Sequence, residues 1–182
     1  MSDPYIGQTL DMTLGQDFLT WLWFYSDTTA GQFSLNDGTQ YTIHLEQRVV
    51  VTGGEGESLE TTTVSGSMSG SMSPLREARI GLASGKKVCQ ALLRIERNDE
   101  VWTATVKAET LSLSGLKTPT VEREEADDDF DDDARVLEKL YLVESVTDMI
   151  DNAFDTFMEV RLNPTNWAET IKRIRPWIKH EA

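Results

Sequence analysis

The sequence predicts an α+β fold: an antiparallel sheet of four to five strands, arranged as two hairpins, covered by an aromatic N-terminal helix and a C-terminal helical pair. Three observations predict it. Between Phe18 and Tyr25 seven of eight positions are apolar and five of these are aromatic. Two turn signals, around Asp37-Gly38 and Asn98-Asp99, each separate runs of alternating apolar residues. From residue 134 onward the apolar positions recur every three or four residues, the period of an amphipathic helix.

Residues 1–12 form a polar lead containing Pro4, expected to be extended. Thr13 and Gln16 have the spacing of a capping box for a helix over 14–27. Apolar residues at 18, 19, 22 and 25 mark one face of it, while Trp21, Trp23 and Phe24 cover the others. A helix apolar all round must be buried on more than one side, and this run is too short to cross a bilayer. Phe18, Trp21, Leu22, Trp23 and Tyr25 therefore pack in the chain's own core or form a helix shared with a partner chain.

Residues 31–35 and 41–52 are expected to pair across the Asp37-Gly38 turn, both of whose central residues favour positive φ. In the second run Tyr41, Ile43, Leu45, Val49 and Val51 share one face, with Thr42, His44, Glu46 and Arg48 opposite. Residues 58–65, rich in Thr, can return as a solvated edge strand. The tract 64–73 holds GSMS twice and reads as a flexible connector rather than a methionine contact surface. A helix over 74–84 follows, with Pro74 in its first turn and Gly85 at its end. The second hairpin spans 88–97 and 100–113. Residues 114–126 read as a connector. Six aspartates then surround Phe130, a solvated acidic run.

The long helix places Val136, Val143, Val146, Ile150, Ala153, Phe157 and Val160 on a seam thickened by Leu140, Met149 and Phe154. Opposite the seam stand Glu144, Asp148, Asp151, Asp155 and Glu159. Asn163-Pro164 breaks it. Asn166 and Glu169 are placed to cap a last helix, which Pro176 is expected to kink or end. Its basic side should lie near the acidic face of the long helix. The organisation is thus a lead (1–12), a helix and sheet with an inserted helix (13–113), an acidic linker (114–133) and a helical pair on the same core (134–182).

The string LGQDFLTWLWFYSD at 14–27, the sequence Leu-Arg-Glu-Ala-Arg at 75–79 before Gly85-Lys86, and the Ile-Arg-Pro-Trp-Ile ending at 174–178 together resemble the C-terminal part of the shorter bacterial RdgC-like, recombination-associated proteins. The resemblance covers about residues 13–178 and corresponds to one half of such proteins. It implies a non-enzymatic, DNA-associated homodimer that influences RecA-type recombination. No base-reading residue carries over from it.

Charge bears on that expectation. The chain has a formal net charge of −14. Between residues 122 and 159 there are 15 acids against 3 bases, and from residue 160 the sign reverses, with 5 bases against 2 acids. Neutralised phosphates supply most nucleic-acid affinity, so any duplex contact must be local. Its candidates are Arg76, Arg79, Lys86 and Lys87, with Lys172, Arg175 and Lys179 near the C-terminus. The competing expectation is an acidic protein-interaction module. A row of carboxylates such as Glu144, Asp148, Asp151, Asp155 and Glu159 can imitate a phosphate backbone and engage a basic nucleic-acid-processing protein.

Reactive chemistry is not indicated. GLASGKK at 81–87 has three residues between its glycines where a phosphate loop needs four, and Lys87 where it needs Ser or Thr. The aspartate run lacks the alternating ligands, the Gly and the Glu of a calcium loop. His44 and His180 belong to no group at metal-ligand spacing, and Cys89 falls on the apolar side of its strand. There is no G-x-S-x-G elbow. The sequence thus points to a non-enzyme without cofactor or metal. With one cysteine, no signal peptide and no membrane span in the sequence, a cytoplasmic protein is expected.

Overall fold

A helix studded with five aromatic side chains needs a partner on nearly every side, and the computed structural model, which describes residues 6–53, 62–65, 74–120 and 131–179, supplies them from the same chain. Helix α1 (Ile6–Thr29) starts well before the predicted cap. Thr13 is an interior residue, and much of the expected extended lead is helical, because good helix formers such as Gln8, Leu10 and Met12 follow Pro4 without a breaker strong enough to stop them. Phe18, Trp21, Leu22 and Trp23 are buried and Tyr25 is half-buried. Phe18 and Trp21 each lie 5.5 Å from the Phe157 ring, and Trp23 meets Trp177 edge-on at 5.3 Å. The aromatic helix is core, and its apolar surface is already used within one chain.

The sheet has β1 (Gln32–Ser34), β2 (Gln40–Thr52), β3 (Thr62–Ser65), β4 (Lys87–Arg97), β5 (Glu100–Lys107) and β6 (Leu113–Lys117). All pairings are antiparallel, in the order β1-β2-β4-β5-β6, with β3 beside the far end of β2. The register aligns Ile43, Ile95 and Trp102 across three strands, then Leu45, Leu93 and Ala104, then Val49, Ala91 and Val106. Those rows share the core-facing side, while Thr42, Arg94 and Thr103 share the other.

Three local expectations change. Only Gly38 has positive φ in the first turn, whose loop is closed by Thr39 donating to the Asp37 carboxylate at 2.8 Å. A register shift between Val50 and Val51 turns Val88 into the core, and leaves Cys89 half-buried with its thiol 3.3 Å from the Val50 carbonyl. Residues 114–117, read as connector, join Leu113 in a sixth strand of their own. The Gly/Ser tract 66–73 and residues 121–130, which include the first three of the six aspartates, lie outside the described residues, while Asp131, Asp132 and Asp133 open the long helix.

Helix α2 (Pro74–Ala83) closes with Gly85 at φ 89°, its amide and that of Lys86 reaching back to the Leu82 and Gly81 carbonyls. Helix α3 (Asp131–Leu162) is fastened to the sheet by buried hydrogen bonds. The Trp102 indole donates to the Leu142 carbonyl at 3.0 Å, and the Tyr41 hydroxyl donates to the Met149 carbonyl at 2.7 Å, with the Asn152 side chain equally close. Helix α4 (Pro164–Lys179) is capped by Asn163 rather than Asn166. The Asn163 side chain accepts from the amides of Thr165 and Asn166, and Pro164 takes the first position. Pro176 neither ends nor breaks this helix. It lies in the last turns, and Trp177 locks those turns down by donating to Asp27 at 3.2 Å and meeting Trp23 and Phe24 edge-on.

Burial, with a smaller contribution from Tyr25, pushes the Tyr41 hydroxyl well above its ordinary value of 10.0. The folded state then holds a proton that the unfolded chain releases near pH 10, so this contribution is complete below pH 10 and declines as pH rises beyond it. Tyr41→Phe should cost about 1–2 kcal/mol at neutral pH and flatten the alkaline limb of a stability-versus-pH curve measured by urea denaturation. An unchanged alkaline limb would show that Tyr41 is not the group responsible.

Candidate nucleic-acid interface

Two segments separated by almost half the chain meet where α4 crosses the join between α2 and β4. Lys86 follows the glycine that ends α2, and Lys87 opens β4. Arg175 comes from α4, whose Ile171, Ile174 and Ile178 face inward here beside Leu82. Together they line a cavity of about 260 Å³ with an apolar floor that includes Trp167, and with Lys86, Lys87 and Arg175 on its walls. Lys172 and Lys179 stand three and four residues either side of Arg175, which puts them on the same flank of the helix.

The one acid on the cavity wall, Asp17, is already matched by Arg161 at 3.1 Å, whose guanidinium also lies 4.9 Å from the Trp167 ring centre. Lys172 pairs with Glu169 at 2.6 Å in an exposed position, where screening leaves such a pair little strength. The local field is therefore positive although the chain as a whole is strongly negative. Five of the seven predicted contact residues gather at this flank: Lys86, Lys87, Lys172, Arg175 and Lys179.

Arg79 does not join them. Only 7% exposed, it forms an ion pair with Asp27, and its guanidinium lies 4.4 Å from the Trp177 ring centre and 5.5 Å from that of Trp23. It is a buried tie between α1, α2 and α4, not a surface cation. Arg76 is in the first turn of α2, and its side chain lies outside the described residues. Sequence reading passed over Arg161 and Arg173. Arg173 lies 5.4 Å over Phe24, and its place one residue from Lys172 was the only available signal.

The predicted acidic row is continuous. Glu144, Asp148, Asp151, Asp155 and Glu159 are all exposed along the outer side of α3, and among the described residues none of the five makes an ion pair. The basic side of α4 thus does not neutralise it. Among the described residues no group of three or more His, Cys, Asp or Glu side chains is placed to hold a metal ion, and no helix is long and apolar enough to cross a membrane. His44 is half-buried with Nδ1 3.3 Å from the Ser26 hydroxyl, and His180 lies outside the described residues.

No family model matches the sequence, and neither a curated protein nor a solved structure matches the chain.

Proposed function

We propose that the chain is a non-enzymatic, recombination-associated protein of the RdgC-like kind, which works as a homo-oligomer and touches duplex DNA through the basic flank formed by Lys86, Lys87 and α4. The observation that carries this reading is the convergence of Lys86 and Lys87 with Arg175 on one cavity. Cations brought together from remote segments can meet phosphates without reading sequence. RecA modulation rests on the resemblance alone.

Fluorescence anisotropy with a labelled 20-base-pair duplex at several salt concentrations tests it. With three to five cations engaged, the logarithm of affinity should fall against the logarithm of salt with a slope of about −2.7 to −4.5. The triple variant K86E/K87E/R175E should flatten that slope by about 2–3 and weaken binding alike on unrelated sequences. Absence of binding at 50 mM salt sinks the reading.

A second reading, an acidic module that imitates DNA and engages a basic nucleic-acid-processing protein, is favoured by the unpaired α3 carboxylates. From Glu144 to Glu159 they extend about 22 Å along the helix, roughly one charge per 4–6 Å against one per 3.4 Å for each DNA strand.

A further inference from the structure

Helix α3 carries an apolar surface that its own fold does not use. Leu142, Val146, Met149, Ile150, Ala153 and Phe157 face the core and are buried. Before Leu142 the helix is covered only in part: Thr118, Pro119 and Thr120 lie beside Arg135, Glu138 and Lys139, and the Arg97 guanidinium is 5.9 Å from the Tyr141 ring centre, yet Val136, Leu137, Leu140 and Tyr141 stay 56–67% exposed. Leu137 and Tyr141 begin a stripe that continues, at steps of three and four residues, through Glu144, Asp148, Asp151, Asp155 and Glu159. One outward face thus reads apolar for two turns and acidic for the next four, over about 33 Å. Four large apolar side chains grouped on the surface of so highly charged a chain mark an interaction site rather than scatter.

We propose that this stripe docks a cationic amphipathic helix of a partner protein, with aliphatic anchors seated on Leu137, Leu140 and Tyr141 and Lys or Arg at three-four spacing along the acidic row. The inference rests on the second reading above and gives it a definite shape. Charge selects the occupant. A second copy of this chain laid patch to patch would bring the acidic row of each toward Asp131, Asp132 and Asp133 in the first turn of the other's α3, and like charges at such contacts oppose association. Nucleic acid has the wrong sign. A straight stripe with helical periodicity accepts a helix whose residues repeat at the same spacing.

Three labelled 22-residue helical peptides serve as probes: one with leucine anchors followed by a lysine row, one with the lysine row alone, and one with the anchors followed by glutamates. The anchored lysine peptide should bind at least tenfold tighter than either of the others. L137S/L140S, at exposed positions that leave the melting temperature unchanged, should remove that tenfold. D151K/D155K should lose the lysine peptide and gain the glutamate peptide. Equal binding of the anchored and unanchored lysine peptides overturns the inference while leaving an acidic module standing; no binding of either lysine peptide overturns both. A wild-type dimer in sedimentation that L137S/L140S dissociates also overturns it, because the patch then belongs to a second copy.

Discussion

Gly15→Ala should destabilise the protein by about 3 kcal/mol or more, although alanine is the better helix former by about 1 kcal/mol. Gly15 is the point where α1 touches the sheet end. A Cβ built there would stand 1.9 Å from the Ala108 carbonyl oxygen and 2.7 Å from its carbonyl carbon. Both are backbone atoms, so no side chain can rotate out of the way. The Ala108 segment is itself pinned, its amide donating to the Cys89 carbonyl at 2.8 Å. On the other side α1 is locked by Phe18, Leu19, Leu22 and Trp23, all buried. The helix can admit the methyl only by lifting from the sheet and opening that packing. Gly38→Ala provides the contrast. Its Cβ would meet nothing within 4 Å, and only the φ of 88° opposes it, which should cost about 1–2 kcal/mol. Urea denaturation followed by tryptophan fluorescence measures both, and a wild-type midpoint for Gly15→Ala would mean that α1 is not seated on Ala108.

The layers of this fold were legible because two periods dominate the chain. Alternation from Tyr41 to Leu45 and from Trp102 to Val106 describes strands with one buried face, and the three-four repeat from Val146 to Phe157 describes a helix over them. Where those signals weaken, local propensity misleads. Leu113–Lys117 pairs with β5 although Ser114 and Gly115 give it no apolar alternation, since an edge strand needs backbone pairing more than side-chain burial. Val136 and Leu140 keep helical spacing but lie exposed, because the sheet ends under Trp102 and Leu142. Periodicity states which residues share a helix face, not how far the layer beneath extends.

The candidate interface was legible as residues but not as a place. Lys86 and Lys87 could be singled out as a compact basic group, and Arg175 as part of a basic helix side. Their union depends on how α4 crosses the α2–β4 join, a long-range contact that no local spacing encodes. The same gap misplaced Arg79. Nothing around it in sequence separates a surface arginine from one enclosed by Trp23 and Trp177, whose positions lie 56 residues before it and 98 after it.

Arg79→Leu should lower stability by about 3 kcal/mol, and Arg79→Lys by about 1–2 kcal/mol. The planar guanidinium explains the ordering. It lies near the faces of two indoles while meeting the Asp27 carboxylate, whereas a lysine ammonium would keep the charge but lose the flat contact and the fork. Leucine fills part of the space but takes the guanidinium away from Asp27, which is about a third exposed and still accepts from Trp177, so solvent relieves part of its charge and limits the cost. Because Asp27 ends α1, Arg79 lies in α2 and Trp177 in α4, the loss should appear first as faster amide exchange across the last turns of α4. Duplex affinity measured well below the melting temperature should change little for Arg79→Lys. If that variant kept wild-type stability yet weakened duplex binding as strongly as K86E, Arg79 would be a phosphate contact after all and the closed arrangement around it would be wrong.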